Sequence, residues 1–199
     1  MRDIILQILE ESIKVKKKFV QNHADTIAGV AHKIAHCFKA GNKLLLFGNG
    51  GSAADAQHLA AEFVNKFQIE RPPLPALALT TDTSILTSIG NDYHFNDIFS
   101  KQIRALGKKG DVAFGISTSG NSLNVVKAMG VAREMGLYTV GLTGCNGGSM
   151  KECSDIIFVV DSTVTARIQE SHITVGHLLC ELVEGILFPG AHNASQAPI

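Results

Sequence analysis

Five short, nearly unbroken apolar segments recur along the chain, and they constrain its fold more than any other feature. They are Leu44–Phe47, Ala76–Leu79, Val112–Ile116, Thr139–Leu142 and Ile156–Val160. Gly, Ser, Thr, Asn or Asp bound each of them, and helical patterns fill intervals at 53–66, 95–106 and 122–135. A strand that is apolar on both faces must be covered on both faces, and alternation with helices is the pattern of a parallel sheet. Right-handed crossovers then predict a doubly wound, five-stranded α/β sheet. Ligands in such sheets bind beyond the carboxyl ends of the strands. The loops at 48–52, 80–92, 117–122 and 161–166 all follow strands, so all can reach one site.

The flanks read differently. Residues 1 to about 39 predict two amphipathic helices. One stripe is Ile4, Ile5, Ile8, Leu9 and Ile13; the other is Ile27, Val30, Ala31, Ile34 and Phe38. Lys16, Lys17 and Lys18 lie between them as a solvated turn or helix face. A last helix, from about Arg167 to Leu187, is apolar around much of its circumference, which suggests subunit packing. The expected organisation is N-terminal oligomerisation helices at 1–40, an α/β domain at 41–188 and a flexible tail at 189–199, with His192 a solvated tail residue.

Length and charge narrow the function. A chain of 199 residues accommodates one domain with a substantial core, or one domain with a helical appendage. Lys plus Arg and Asp plus Glu balance at 18 each, so no global basic field exists to attract nucleic acid or a membrane surface. An anionic ligand must be held by local donors. Acidic residues interrupt the N-terminus before a signal-peptide core forms, and no apolar run approaches the roughly 20 residues of a membrane span, so a cytoplasmic protein is expected. Cys37, Cys145, Cys153 and Cys180 are scattered without a C-x-x-C pair, which fits a reducing compartment and buried fillers.

Two loops carry the phosphate signal. Gly48-Asn49-Gly50-Gly51-Ser52-Ala53 contains a G-x-G-x-x-A match between an apolar strand and a helix. A dinucleotide site is one reading, but it expects an acid ending the second strand, and that strand ends Leu-Ala-Leu-Thr. A ligand-free tight turn is another. The third is a phosphate cradle, in which glycines admit the backbone and the helix start supplies free N–H groups and a positive dipole end. The second loop, Ser117-Thr118-Ser119-Gly120-Asn121-Ser122, also lies between strand and helix. Four hydroxyls in six residues exceed what an N-cap needs. Neutral donors of this kind suit one phosphomonoester. No G-x-x-x-x-G-K-[ST] is present, which argues against an ATP-type loop.

His58 and Glu62, at i and i+4, share a helix face. Gln169, Ile173, His177 and Cys180 form a stripe on the last helix, where His177 read by itself is a core histidine. Gln169 and His177 stand about 12 Å apart along a regular helix. Either Gln169 lies in an irregular first turn, or a site draws the two residues from different protomers; the second is favoured. Asn91-Asp92 either holds sugar hydroxyls or forms an Asx turn. Asp55, Glu170 and His172 read as solvent-facing or structural.

The segments GNGGSAADAQHLAAE at 48–62, STSGNS at 117–122 and TARIQESHITVGH at 165–177 together resemble the sugar isomerase (SIS) domain family, and within it the phosphoheptose isomerase branch. The resemblance spans nearly the whole chain up to about residue 190, the α/β domain at 41–188 being the SIS domain. It implies a flavodoxin-like sheet and a homotetramer with active sites between subunits. It implies conversion of sedoheptulose 7-phosphate to D-glycero-D-manno-heptose 7-phosphate through an enediol, towards ADP-heptose and lipopolysaccharide. By position, Ser52, Ser117, Thr118, Ser119 and Ser122 match phosphate ligands. Asn49, Gly50, Gly51, Asn91 and Asp92 match other substrate contacts. His58, Glu62, Gln169 and His177 match a zinc site of metal-bound members, with Gln169 and Glu62 also contacting substrate. Glu62 and His177 match the catalytic pair. His94 stands where a glycine is often found. Non-catalytic relatives that bind the bacterial replication initiator share the RIQE segment and the Leu187-Phe188-Pro189 ending, but tend to lack the second histidine and alter the serine loop. Both are intact here, so the enzyme reading is preferred.

Overall fold

The computed structural model describes residues 1–190; the remainder of the expected tail, with His192, lies outside the described residues. Its order is α1 (Arg2–Lys39), β1 (Leu44–Gly48), α2 (Gly51–Val64), β2 (Ala76–Ala78), α3 (Thr83–Asp92), a 3-10 turn (Phe95–Asp97), α4 (Ser100–Leu106), β3 (Val112–Ser117), α5 (Leu123–Glu134), β4 (Tyr138–Gly144), α6 (Met150–Cys153), β5 (Ile156–Val160) and α7 (Thr165–Leu187). The five strands are parallel in the order β2-β1-β3-β4-β5, as expected of a doubly wound sheet. Alternate strand residues serve two cores. Leu44, Leu46, Val112, Phe114, Ile116, Val140 and Leu142 pack with α1, α2 and α7. Leu45, Phe47 and Ala113 pack with α4, α5 and Met150.

The N-terminal segment differs from expectation: it is one helix of 38 residues, not two. No Gly or Pro interrupts residues 2–28, and Val15 and Phe19 carry the apolar spacing straight through the lysine run. Lys18 reaches across to Asp161 at 2.6 Å, so part of that run is paired. From Phe19 to Phe38 the helix shares the core of the sheet, α2 and α7. Its leading residues Ile4, Ile5, Ile8, Leu9 and Ile13 are exposed.

The 80–92 segment also differs, being mostly helix α3 rather than loop. Asp82 caps it, its carboxylate accepting from the Ile85 N–H at 2.9 Å. No residue of α3 is fully buried, so the apolar periodicity that betrays a packed helix is weak there. The expected helix at 95–106 is divided into the 3-10 turn and α4.

Candidate active site

Strands β1 and β3 are neighbours, with Gly48 paired beside Ile116. Chain direction splits at this point: α2 leaves β1 toward one face and α5 leaves β3 toward the other. The crevice between such strands is where doubly wound sheets bind ligands. The glycine turn and the serine turn therefore open side by side.

In the glycine turn, Gly50 takes a left-handed φ of 54° as the N-cap of α2. The N–H groups of Ser52 and Ala53 fold back onto the carbonyls of Asn49 and Gly50 at 3.0 Å each. Ser52 is buried in the first helical turn. Gly51 serves another purpose: a Cβ there would collide with the carboxamide of Gln169. The absent side chain leaves room for the Gln169 carboxamide at the start of α2.

The serine turn keeps its hydroxyls away from helix capping. Ser122 is the N-cap of α5, yet its side chain makes no cap bond; its Oγ lies 2.9 Å from Ser117 Oγ. Ser119 Oγ accepts from the Asn121 N–H at 3.2 Å, and the Thr118 carbonyl accepts from the Gly144 N–H at 3.0 Å. Gly120, with φ 67°, presses against the Gly147–Gly148 backbone so closely that a Cβ would collide with it. The Asn121 side-chain oxygen in turn accepts from the Ser149 N–H at 2.9 Å. The 144–149 turn that braces the loop was invisible to the motif reading.

Helices α2 and α7 run side by side in the same direction. Gln169 faces Gly51, Gly176 faces Leu59, and Glu184 meets the residues just past α2. This alignment brings His177 to His58, with Nε2 to Nε2 at 2.9 Å, and His58 Nε2 lies 3.5 Å from Glu62 Oε1. His58, Glu62 and His177 thus converge within one chain. The Phe67 ring covers His177, at 5.4 Å between centroids. Gln169 lies elsewhere, two helical turns back at Gly51. Its helix is regular from Thr165, which removes the irregular first turn as a route to His177.

A cis-acting anchor holds the end of this assembly. Glu184, fully buried, accepts from the N–H groups of Phe67 at 2.9 Å and Gln68 at 3.0 Å and from Arg71 Nε at 2.8 Å. Arg71 donates to the carbonyls of Phe63 and Glu62 at 2.7 and 2.8 Å. Burial pushes the Glu184 carboxyl up, but those N–H groups and the guanidinium outweigh it and hold it below the usual range. The motif reading missed both residues; a buried acid near the end of an apolar helix was the available signal.

Asn91 and Asp92 occupy the exposed end of α3, with Asn91 Nδ2 donating to Asp92 Oδ1 at 2.9 Å. Asp55 sits between Gly51 and His58 on α2; burial pushes its carboxyl up, His58 partly offsets this, and Oδ2 has no partner among the described residues. Glu170 accepts from Ser12 and Arg167, both at 2.6 Å, and ties α7 to α1. His172 is buried with Nε2 3.0 Å from the Thr143 carbonyl. Burial and the nearby charges of Glu62 and Glu184 push the Cys180 thiol far up, so it stays protonated. Among the described residues, no group of three or more His, Cys, Asp and Glu side chains is arranged to hold a metal ion. The histidine nitrogens stand at hydrogen-bond spacing, whereas two nitrogens on one tetrahedral zinc stand about 3.3 Å apart. No helix among them is long and apolar enough to cross a membrane.

Comparison with known proteins places this architecture. A family model described as SIS domain matches residues 7–144. The chain is 58% identical over 187 residues to a phosphoheptose isomerase of Nitratidesulfovibrio vulgaris strain Hildenborough, covering 94% of this chain and 90% of the relative. It is 56% identical over 184 residues to the phosphoheptose isomerase of Aquifex aeolicus, covering 92% and 96%. The solved phosphoheptose isomerase GmhA from Neisseria gonorrhoeae superposes with a TM-score of 0.87 at 43% identity, covering 92% of this chain and 98% of that one. Motifs, topology and these likenesses agree: the chain belongs to the SIS domain family, in its phosphoheptose isomerase branch.

Proposed function

We propose that this protein converts sedoheptulose 7-phosphate into D-glycero-D-manno-heptose 7-phosphate in the cytoplasm, supplying ADP-heptose for the lipopolysaccharide core. The observation that carries the proposal is the convergence of His58, Glu62 and His177 along the same helix pair that begins at the glycine turn. From Gly51 to His58 is about 10 Å along α2. An extended, phosphorylated chain of seven carbons can span that length. Ser52, Ser117, Thr118, Ser119 and Ser122 hold the phosphate in this reading, with the starts of α2 and α5 adding backbone donors. Asn49, Gly50, Gly51, Asn91 and Asp92 hold the sugar.

An aldose–ketose interconversion removes the C1 proton beside the C2 carbonyl, passes through an enediol and returns a proton to C2. A second proton leaves the C1 hydroxyl and one arrives on the C2 oxygen. Glu62 is assigned the carbon-bound proton, and His177 the oxygen-bound proton, since imidazole exchanges protons most readily near neutrality. Two imidazoles and a carboxylate are a donor set that zinc accepts. His58, Glu62 and His177, with Gln169, would hold it; when bound, a zinc ion polarises the carbonyl oxygen as a Lewis acid. Within one subunit Gln169 stands about 12 Å from His177 along α7. Four donors around one ion would then be drawn from two subunits, which fits a homotetramer with sites at its interfaces. The exposed stripe of α1 supports that assembly.

The test is turnover of five-, six- and seven-carbon ketose phosphates by the purified protein, before and after verified metal removal. Selective turnover of the seven-carbon substrate is expected, falling on chelation and returning with zinc. Binding without turnover of any sugar refutes the proposal. Glu62→Gln is expected to stop exchange of the reacting C–H proton with solvent deuterium; full exchange removes Glu62 from the base role.

A further inference from the structure

Asn49 meets Asn124 in a reciprocal carboxamide pair. Asn49 Nδ2 donates to Asn124 Oδ1 at 2.9 Å, and Asn124 Nδ2 donates to Asn49 Oδ1 at 2.8 Å. Asn124 is buried in the first turn of α5, just beyond the serine turn. The pair therefore spans the crevice between the loops that follow β1 and β3.

One further contact gives the pair a direction. The Val125 N–H lies 2.9 Å from Asn124 Oδ1. That N–H also bonds the Ser122 carbonyl at 3.0 Å, but two donors facing each other at this distance repel, so the atom is the oxygen and not the amide nitrogen. Asn124 Nδ2 must then face Asn49, and the atom of Asn49 that it meets must be Oδ1. The main chain of α5 thus dictates, through Asn124, which way round the Asn49 carboxamide sits. The second N–H of Asn49 Nδ2 stays outside the pair, and Asn49 as a residue is half-buried.

We infer that Asn124 is a positioning residue: it locks the Asn49 amide with its free N–H toward the substrate and ties the glycine turn to the serine turn. The inference rests on the reading of residues 48–52 as a substrate loop. Without Asn124, the Asn49 side chain is free to rotate, and its flipped form presents an oxygen where a sugar oxygen needs a donor. Both loops would also lose the cross-link that holds them at one spacing.

The experiment is a double-mutant cycle on turnover of sedoheptulose 7-phosphate. Asn49→Ala, Asn124→Ala and the double variant are compared for kcat and KM, with thermal midpoints measured alongside. Asn124→Asp enters as the same-sized variant. It keeps the acceptor for Val125 and loses the donor to Asn49, so it holds the fold if the alanine variant does not. Each Asn124 variant is expected to lower kcat/KM about tenfold in the wild-type background and by less than about twofold in the Asn49→Ala background, because coupled residues are not additive. Equal losses in both backgrounds overturn the inference, since a general loosening acts whether or not Asn49 is present. So does an unimpaired Asn124→Asp. Full activity of Asn49→Ala, or a wild type that does not turn over the substrate, overturns the reading of the loop and this inference with it.

Discussion

His172 offers a stability switch whose size follows from its surroundings. It is 1% exposed, donates from Nε2 to the Thr143 carbonyl at 3.0 Å, and has no partner for Nδ1 among the described residues. Burial penalises the imidazolium, the Thr143 bond only partly offsets that, and its pKa is lowered from 6.5 to about 4. The sign follows from linkage. The folded pKa lies below the unfolded one, so the folded chain prefers the neutral ring. The contribution is complete above pH 6.5 and is lost as pH falls from there toward 4. At 1.36 kcal/mol per pH unit, the loss amounts to about 3 kcal/mol. The perturbation is His172→Gln, which keeps an N–H donor and cannot titrate. Urea unfolding at one fixed protomer concentration, from about pH 7.5 to pH 4, isolates the effect, because other titrating groups cancel between the two proteins. The variant is expected to be the less stable protein near neutrality and to lose about 3 kcal/mol less than the wild type on acidification. Parallel pH profiles for the two proteins would refute the argument.

Glu184→Gln leaves the Arg71 charge buried without its counterion and should cost about 3–5 kcal/mol of unfolding free energy; an unchanged denaturant midpoint would contradict it. Ser117→Ala and Ser122→Ala should each raise KM about tenfold with kcat little changed, read from initial rates, because they remove phosphate donors distant from the reacting carbons. A fall in kcat at constant KM would show that these hydroxyls act on the chemistry. Gly51→Ala should lower turnover while the thermal midpoint barely moves, since the new Cβ meets only the flexible carboxamide end of Gln169, which can swing aside. A fully active variant would remove Gln169 from the site.

The sheet was legible because its central strands β1, β3 and β4 are buried on both faces and read as apolar runs; Val112 to Ser117 is buried throughout. Helix α3 was not, because it buries no residue completely and so carries little periodicity. The lysines at 16–18 suggested a break that the continuing Val15–Phe19 spacing denies. Within the site, local spacing put His58 and Glu62 on one helix face, which read alone is a surface hydrogen bond. Spacing did not reveal His177, because its meaning depends on α7 lying parallel to α2, a relation of segments more than a hundred residues apart. Asn124, Arg71 and Glu184 act through contacts with main-chain atoms or with other side chains remote in sequence, which leave no spacing to read.

Helix α1 is 38 residues long, about 57 Å, yet its first ten residues contribute nothing to the interior. A stretch of that length cannot hold helical shape by itself in water. Arg167 steadies it, donating to the Ile8 carbonyl and standing 3.8 Å from Glu11 Oε2, together with whatever settles on those isoleucines. In the proposed tetramer, dilution should therefore fray this end, and amide hydrogen exchange over residues 2–11 should report how crowded the subunits are.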